Sequence, residues 1–117
     1  MKTILVVEDE RNLRAMYTQE LEAEGYVVIA VPDAAMAKTT CEENEIDLAI
    51  LDIKLDGPSG IEVLHNLAQE HRDVKVIINT AYPSYKNDFQ TWSADAYVVK
   101  SSDLDELKRK IRELVFS

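Results

Sequence analysis

Five short runs in this chain are apolar almost throughout and rich in β-branched residues: Thr3–Val7, Tyr26–Val31, Asp47–Leu51, Val74–Ile78 and Ala96–Val99. A strand exposed on one face alternates apolar and polar residues. A continuously apolar strand is buried on both faces, as in a sheet covered by helices. The first four runs are each followed by a segment with helical spacing, and a fifth such segment closes the chain. Strict strand–helix alternation builds a parallel sheet between two helical layers, and right-handed crossovers leave a doubly wound α/β topology as the simplest solution. With 117 residues, the chain is expected to form a single domain, residues 1–117, around one such sheet.

The helical segments carry their own punctuation. A helix is expected from Asp9 to Glu24, burying Leu13, Met16, Tyr17 and Leu21 and stopping at Gly25. Pro32 and Asp33 start a second, with Ala34, Ala37 and Cys41 inward, and Gly60 opens a third with Ile61, Leu64, Leu67 and Ala68. Pro83 suits the first turn of a short helix with Tyr85, Phe89 and Trp92 on one face. Asp103 and Glu106 propose a capping box for the last helix, lined by Leu104, Leu107, Ile111 and Leu114.

Charge and composition exclude several functions. There are 22 acidic against 13 basic residues, and a net charge of -9 repels nucleic acid and anionic lipid. The one dense basic run, Leu107–Arg112, is interleaved with acids at helical spacing, which suits a solvated or protein-docking face. No run approaches the ~18 apolar residues of a membrane span. The first residues lack the pattern of a signal peptide, so a cytoplasmic protein is expected. Cys41 is the only cysteine, which rules out an internal disulfide and suits a small core residue.

In a doubly wound sheet the strand C-termini share one edge, where ligands bind. Here those ends bring Glu8 and Asp9, Asp52, Thr80 and Lys100 to that edge. Singly, each has an ordinary explanation: Asp9 a helix cap, Glu8 and Lys100 surface charges, Asp52 a turn residue, Thr80 a strand end. Together they do not. Three converging carboxylates repel one another unless a cation sits among them, and oxygen-only donors favour Mg2+. A lysine and a hydroxyl on the far side suit phosphoryl oxygens. The set describes phosphoryl transfer in which an aspartate becomes an acylphosphate.

Through LVVEDE, LAILDIKLDGPSGIEVL, VIINTAY and ADAYVVK, the chain resembles the receiver domains of two-component response regulators over essentially its whole length. The resemblance implies a flavodoxin-like (βα)5 three-layer sandwich with strand order 2-1-3-4-5. It implies that Asp52 accepts a phosphoryl group from a sensor histidine kinase or histidine phosphotransfer protein. It also implies that Asp9, Asp52 and the backbone carbonyl of Lys54 hold Mg2+, with Glu8 acting through water. Lys100 would pair with phosphoryl oxygens, Thr80 would move to bond one, and Tyr97 would be the switch aromatic. Tyr97 is equally well explained as a residue facing solvent or packing on a helix. The implied output surface joins the helix of Tyr85, Phe89 and Trp92, the fifth strand and the last helix, and contacts a downstream protein. Such a chain is a substrate and switch more than an enzyme. It is expected to be a stand-alone regulator, a relay intermediate or an isolated receiver fragment.

Two departures from the family pattern, and two positions where the family tunes the lifetime of the acylphosphate, carry expectations of their own. Asp56 replaces the usual proline four residues after the acceptor, which adds charge and removes a fixed φ. Ser101 replaces the proline that follows the family's lysine through a cis bond. A cis Lys100–Ser101 bond is expected despite its cost of roughly 2.5–4 kcal/mol, because Lys100 must still reach the phosphoryl group. Lys54 and Tyr82 are large enough to hinder an in-line water, which predicts slow autodephosphorylation, unless both side chains simply point into solvent. Of the rival readings, a flavin module would need a phosphate loop where Glu8, Asp9 and Glu10 stand. A metal-dependent phosphatase or nuclease would favour an Asp-x-Asp pair at a strand end, and none stands there. A pseudo-receiver that binds partners without phosphorylation would not require the full set of Asp9, Asp52, Thr80 and Lys100.

Overall fold

The computed structural model describes residues 1–52, 60–81, 94–101 and 103–116. Lys54, Asp56, Tyr82 and the helix expected around Tyr85, Phe89 and Trp92 lie outside the described residues. Strands β1 (Thr3–Val7), β2 (Val27–Val31), β3 (Leu48–Leu51), β4 (Lys75–Thr80) and β5 (Ala96–Val99) form one sheet. Its order is β2-β1-β3-β4-β5, with every neighbouring pair parallel. Helices α1 (Arg11–Ala23), α2 (Ala34–Glu43), α3 (Gly60–Glu70) and α4 (Asp105–Val115) cover it.

Strand alternation divides the core in two. Leu5, Val7, Ala49, Leu51, Val76 and Ile78 face α2 and α3, meeting Ala37, Cys41, Val63, Leu64 and Leu67. Ile4, Val6, Leu48, Ile50 and Ile77 face α1 and α4, meeting Tyr17, Leu21, Leu107 and Ile111. Each fully buried Leu or Ile here contributes roughly 1.5–3 kcal/mol of transfer free energy. The continuous apolar runs therefore serve both layers at once, the three-layer arrangement expected from them.

The edges differ from expectation. β1, β3 and β4 are buried apart from their first residues Thr3 and Lys75, but Val27 of β2 is 41% exposed and Val99 of β5 is 42% exposed. Each edge strand has a neighbour on one side only, so its apolar residues are incompletely covered. On α3 the buried stripe is Val63, Leu64 and Leu67, while Ala68, expected inside, is exposed.

Local signals set the helix ends. Gly25 has φ 95 and its N–H donates to the Glu22 carbonyl, closing α1 in a left-handed turn that favours glycine. Asp33 caps α2 by accepting from the Met36 N–H at 2.9 Å. At α4 the cap is not the expected box: Asp103 Oδ1 accepts the Asp105 N–H at 2.9 Å, two residues on, and the helix starts at Asp105. The Asp103 carboxylate reaches the nearer N–H because the chain is still turning at Leu104. Two further aspartates clamp strand starts: Asp47 Oδ2 accepts the Thr3 N–H and Asp95 Oδ2 the Val76 N–H, both at 2.8 Å.

The basic run on α4 is consumed by ion pairs. Lys108 meets Glu20 and Arg112 meets Glu24 across to α1, while Arg109 and Lys110 both meet Glu113. Half-exposed pairs of this kind contribute little stability.

Candidate functional site

The sheet ladders run one residue past three strands and deliver the site. The Glu8 N–H donates to Val31 at 3.0 Å and the Asp52 N–H to Val7 at 3.3 Å, carrying both acids onto the C-terminal edge. The Lys100 N–H donates to the Thr80 carbonyl at 2.8 Å, which hangs the lysine on the end of β4. Glu8, Asp52 and Thr80 are buried, at 2%, 6% and 0% exposure. One carboxylate oxygen from each of Glu8, Asp9 and Asp52 lies within 4.8 Å of the others. Lys100 Nζ donates to Glu8 Oε1 at 2.5 Å and to Asp52 Oδ2 at 2.6 Å.

The charges explain one another. Burial pushes the Glu8 carboxyl above its ordinary value, against the lowering effect of its bond from Lys100. Burial pulls Lys100 down, but its bonds to Asp52 and Glu8 prevail and hold it up at about 12. Three carboxylate oxygens drawn together in this way form a donor set that suits a hard, oxygen-preferring cation, and Mg2+ is such a cation. Glu8, expected as an ordinary surface acid when considered alone, is among the most buried polar residues described.

Two supports escaped sequence reasoning. The cap of α1 is Glu10, whose side chain accepts from the Asn12 N–H at 3.1 Å, so the capping role considered for Asp9 falls to its neighbour. The Glu10 N–H also donates to Glu8 Oε2 at 3.2 Å. Arg14, one turn into α1, donates from one guanidinium nitrogen to the carbonyls of Glu8 at 2.9 Å and Asp9 at 3.0 Å. It ties the acidic loop from behind. A long cation five residues past Asp9 was the available signal. The second support is a buried hydrogen bond from Asn79 Nδ2 to the Tyr17 hydroxyl at 3.0 Å. Nothing in either local pattern marks that pair.

The Lys100–Ser101 bond is trans, since the described residues contain no cis peptide. The expected cis bond is unnecessary: Lys100 reaches Glu8 and Asp52 from the trans backbone, so nothing offsets the cost of a non-proline cis bond. Tyr97 stands opposite Ile78 on β5 and is half-buried against the α2 and α3 face of the core. Lys54 and Tyr82, the residues expected to tune phosphoryl lifetime, lie outside the described residues.

The family model of the response regulator receiver domain matches residues 4–112. The chain belongs to the response regulator receiver domain family. This receiver domain is 35% identical over 114 residues to the two-component response regulator PhoP of Pseudomonas aeruginosa, covering 96% of the chain and 51% of PhoP. It thus spans about half the length of the curated relatives it matches. Among solved structures it is similar to response regulator protein TrrA from Thermotoga maritima in complex with Mg2+ and BeF. The TM-score is 0.94 at 43% identity, over 97% of this chain and 99% of TrrA. TrrA in complex with histidine kinase ThkA gives a TM-score of 0.92 at 43% identity, over 98% and 99% of the two chains. The flavodoxin-like fold and order 2-1-3-4-5 expected from the sequence are those of this receiver domain.

Proposed function

We propose that Asp52 of this receiver domain is the phosphoacceptor, taking a phosphoryl group from a sensor histidine kinase or histidine phosphotransfer protein. The carrying observation is the Lys100 ammonium shared between Asp52 and Glu8 inside the acidic cluster. One Asp52 carboxylate oxygen attacks phosphorus, the phosphorus–nitrogen bond of a phosphohistidine breaks, and its electron pair stays on the imidazole. Lys100 exchanges a carboxylate oxygen for a phosphoryl oxygen, and the Thr80 hydroxyl donates to another. Glu8, Asp9, Asp52 and the Lys54 carbonyl would hold Mg2+, Glu8 through water. Bound there, Mg2+ would offset the charge brought by a dianionic phosphoryl group.

The domain spans residues 1–117 and works in the cytoplasm; no described helix is long and apolar enough to cross a membrane. Phosphorylation redraws the bonds of Thr80 and Lys100 and with them the setting of Tyr97. The output face comprises the segment of Tyr85, Phe89 and Trp92, strand β5 and helix α4, and its partner is a downstream protein. Lys54 and Tyr82 slow autodephosphorylation, so Tyr82→Ala shortens the phosphoryl half-life; an unchanged half-life counts against that role. The domain turns over no substrate of its own beyond this transfer and slow hydrolysis.

Intact mass spectrometry after incubation with a small phosphodonor and Mg2+ tests the acceptor. Wild type gains one phosphoryl mass and Asp52→Asn gains none. Equal labelling of both, or of neither, would sink the assignment, and absence in both would favour a pseudo-receiver.

A further inference from the structure

We propose that Tyr17 and Asn79 are positioning residues for the phosphoryl switch: their hydrogen bond holds the end of β4 against α1 and so places Thr80 and Lys100. The inference rests on the phosphoacceptor reading above and deepens it.

The pair is out of place in its surroundings. Tyr17 is 2% and Asn79 3% exposed, in the α1 and α4 half of the core among Ile4, Val6, Ile77 and Val98. Burying an amide and a hydroxyl is costly unless they bond each other, and the bond tolerates only a narrow range of distance and direction. An apolar pair would pack there without that demand, so the bond adds geometric definition more than stability. Asn79 immediately precedes Thr80 on the strand, and successive residues point to opposite faces. Anchoring Asn79 on the α1 side therefore orients Thr80 on the other. The same strand end carries Lys100, through the Thr80 carbonyl. Asn79 pairs with Val98 and Thr80 with Val99 in the β4–β5 register, so the anchor reaches β5 as well. Arg14 sits one turn before Tyr17 on α1 and holds the acidic loop. One helix thus braces the cation side of the site through Arg14 and the phosphoryl side through Tyr17.

The test separates those two sides. In the double variant Tyr17→Phe/Asn79→Leu both polar groups are gone and the volume is kept, so no unpaired group remains to unfold it. Calorimetric titration first with Mg2+, then with beryllofluoride in saturating Mg2+, reads the two sides in turn. The expected result is a Mg2+ affinity within twofold of wild type and a beryllofluoride affinity weaker by roughly fivefold, the scale of one hydrogen bond. Tyr17→Phe alone, which removes a single oxygen, should move the same way. Beryllofluoride affinity within twofold of wild type in both variants overturns the positioning role, as does a parallel loss of Mg2+ affinity. Failure of wild type itself to bind beryllofluoride would instead overturn the phosphoacceptor reading and this inference with it.

Discussion

Lys100 Nζ lies 2.6 Å from Asp52 Oδ2 and 2.5 Å from Glu8 Oε1, so one ammonium serves two carboxylates that are 8% and 3% exposed at their side chains. The lysine is a structural counterion for both acids.

Removing it should therefore destabilise the fold. Lys100→Met leaves two buried carboxylates facing each other, and breaking a buried pair costs about 3–5 kcal/mol. Urea denaturation should show that loss, and added Mg2+ should stabilise Lys100→Met more than wild type by binding the acids that have lost their ammonium. Equal stability of the two proteins would refute the counterion role.

Arg14 should act on the metal without touching it. Arg14→Met deletes both bonds to the carbonyls of Glu8 and Asp9, and loss of such an outer support weakens metal affinity by about tenfold or more. Calorimetry with Mg2+ is the measurement. Arg14→Lys, which keeps the charge but not the reach of the guanidinium, should recover only part.

The alkaline limb of stability should carry a signature of Tyr17 and Lys100. Burial raises the Tyr17 hydroxyl above its ordinary 10.0, and the bonds to Asp52 and Glu8 hold Lys100 at about 12 against an ordinary 10.5. Both groups bind protons more tightly in the folded state. Their contribution is complete below 10.0 and 10.5 and is lost as pH rises through the raised values. Burial raises the Tyr26 hydroxyl as well, so tyrosinate absorbance should show both hydroxyls ionising together with unfolding, and Tyr17→Phe should reduce that coincident signal.

Gly25 offers a clean backbone test. At φ 95 no atom beyond Gly25 and its chain neighbours lies within 4 Å of the place a Cβ would take, so Gly25→Ala meets no clash and costs only the left-handed conformation, about 1–2 kcal/mol. Gly25→Asn should cost less, and thermal unfolding would rank the three.

Much of this was open to inspection in the residues. The runs ILVV, LAIL and VII lie in buried strands because unbroken apolar stretches have no solvent face to offer, and Asp33 and Gly25 mark helix ends by bonds to near neighbours. Two errors fell where neighbouring residues could play one part. Asp9 and Glu10 are both acids at a helix start, and only the path of the chain leaving β1 gives the cap to Glu10. Asp103 was expected to close a box with Glu106 and instead bonds the Asp105 N–H, because the turn at Leu104 brings that donor nearer.

By itself the sequence determined the sheet, its strand ends and the set Glu8, Asp9, Asp52, Thr80 and Lys100, since periodicity and turn chemistry act within a few residues. Only the tertiary structure decided which of these touch: Lys100 reaches Glu8 across 92 positions and Asp52 across 48, and Asn79 finds Tyr17 across 62. It also decided that Lys100 does so from a trans peptide. Hydrogen-bond partners that far apart are chosen by strand register and helix placement, and a local stretch of sequence carries neither.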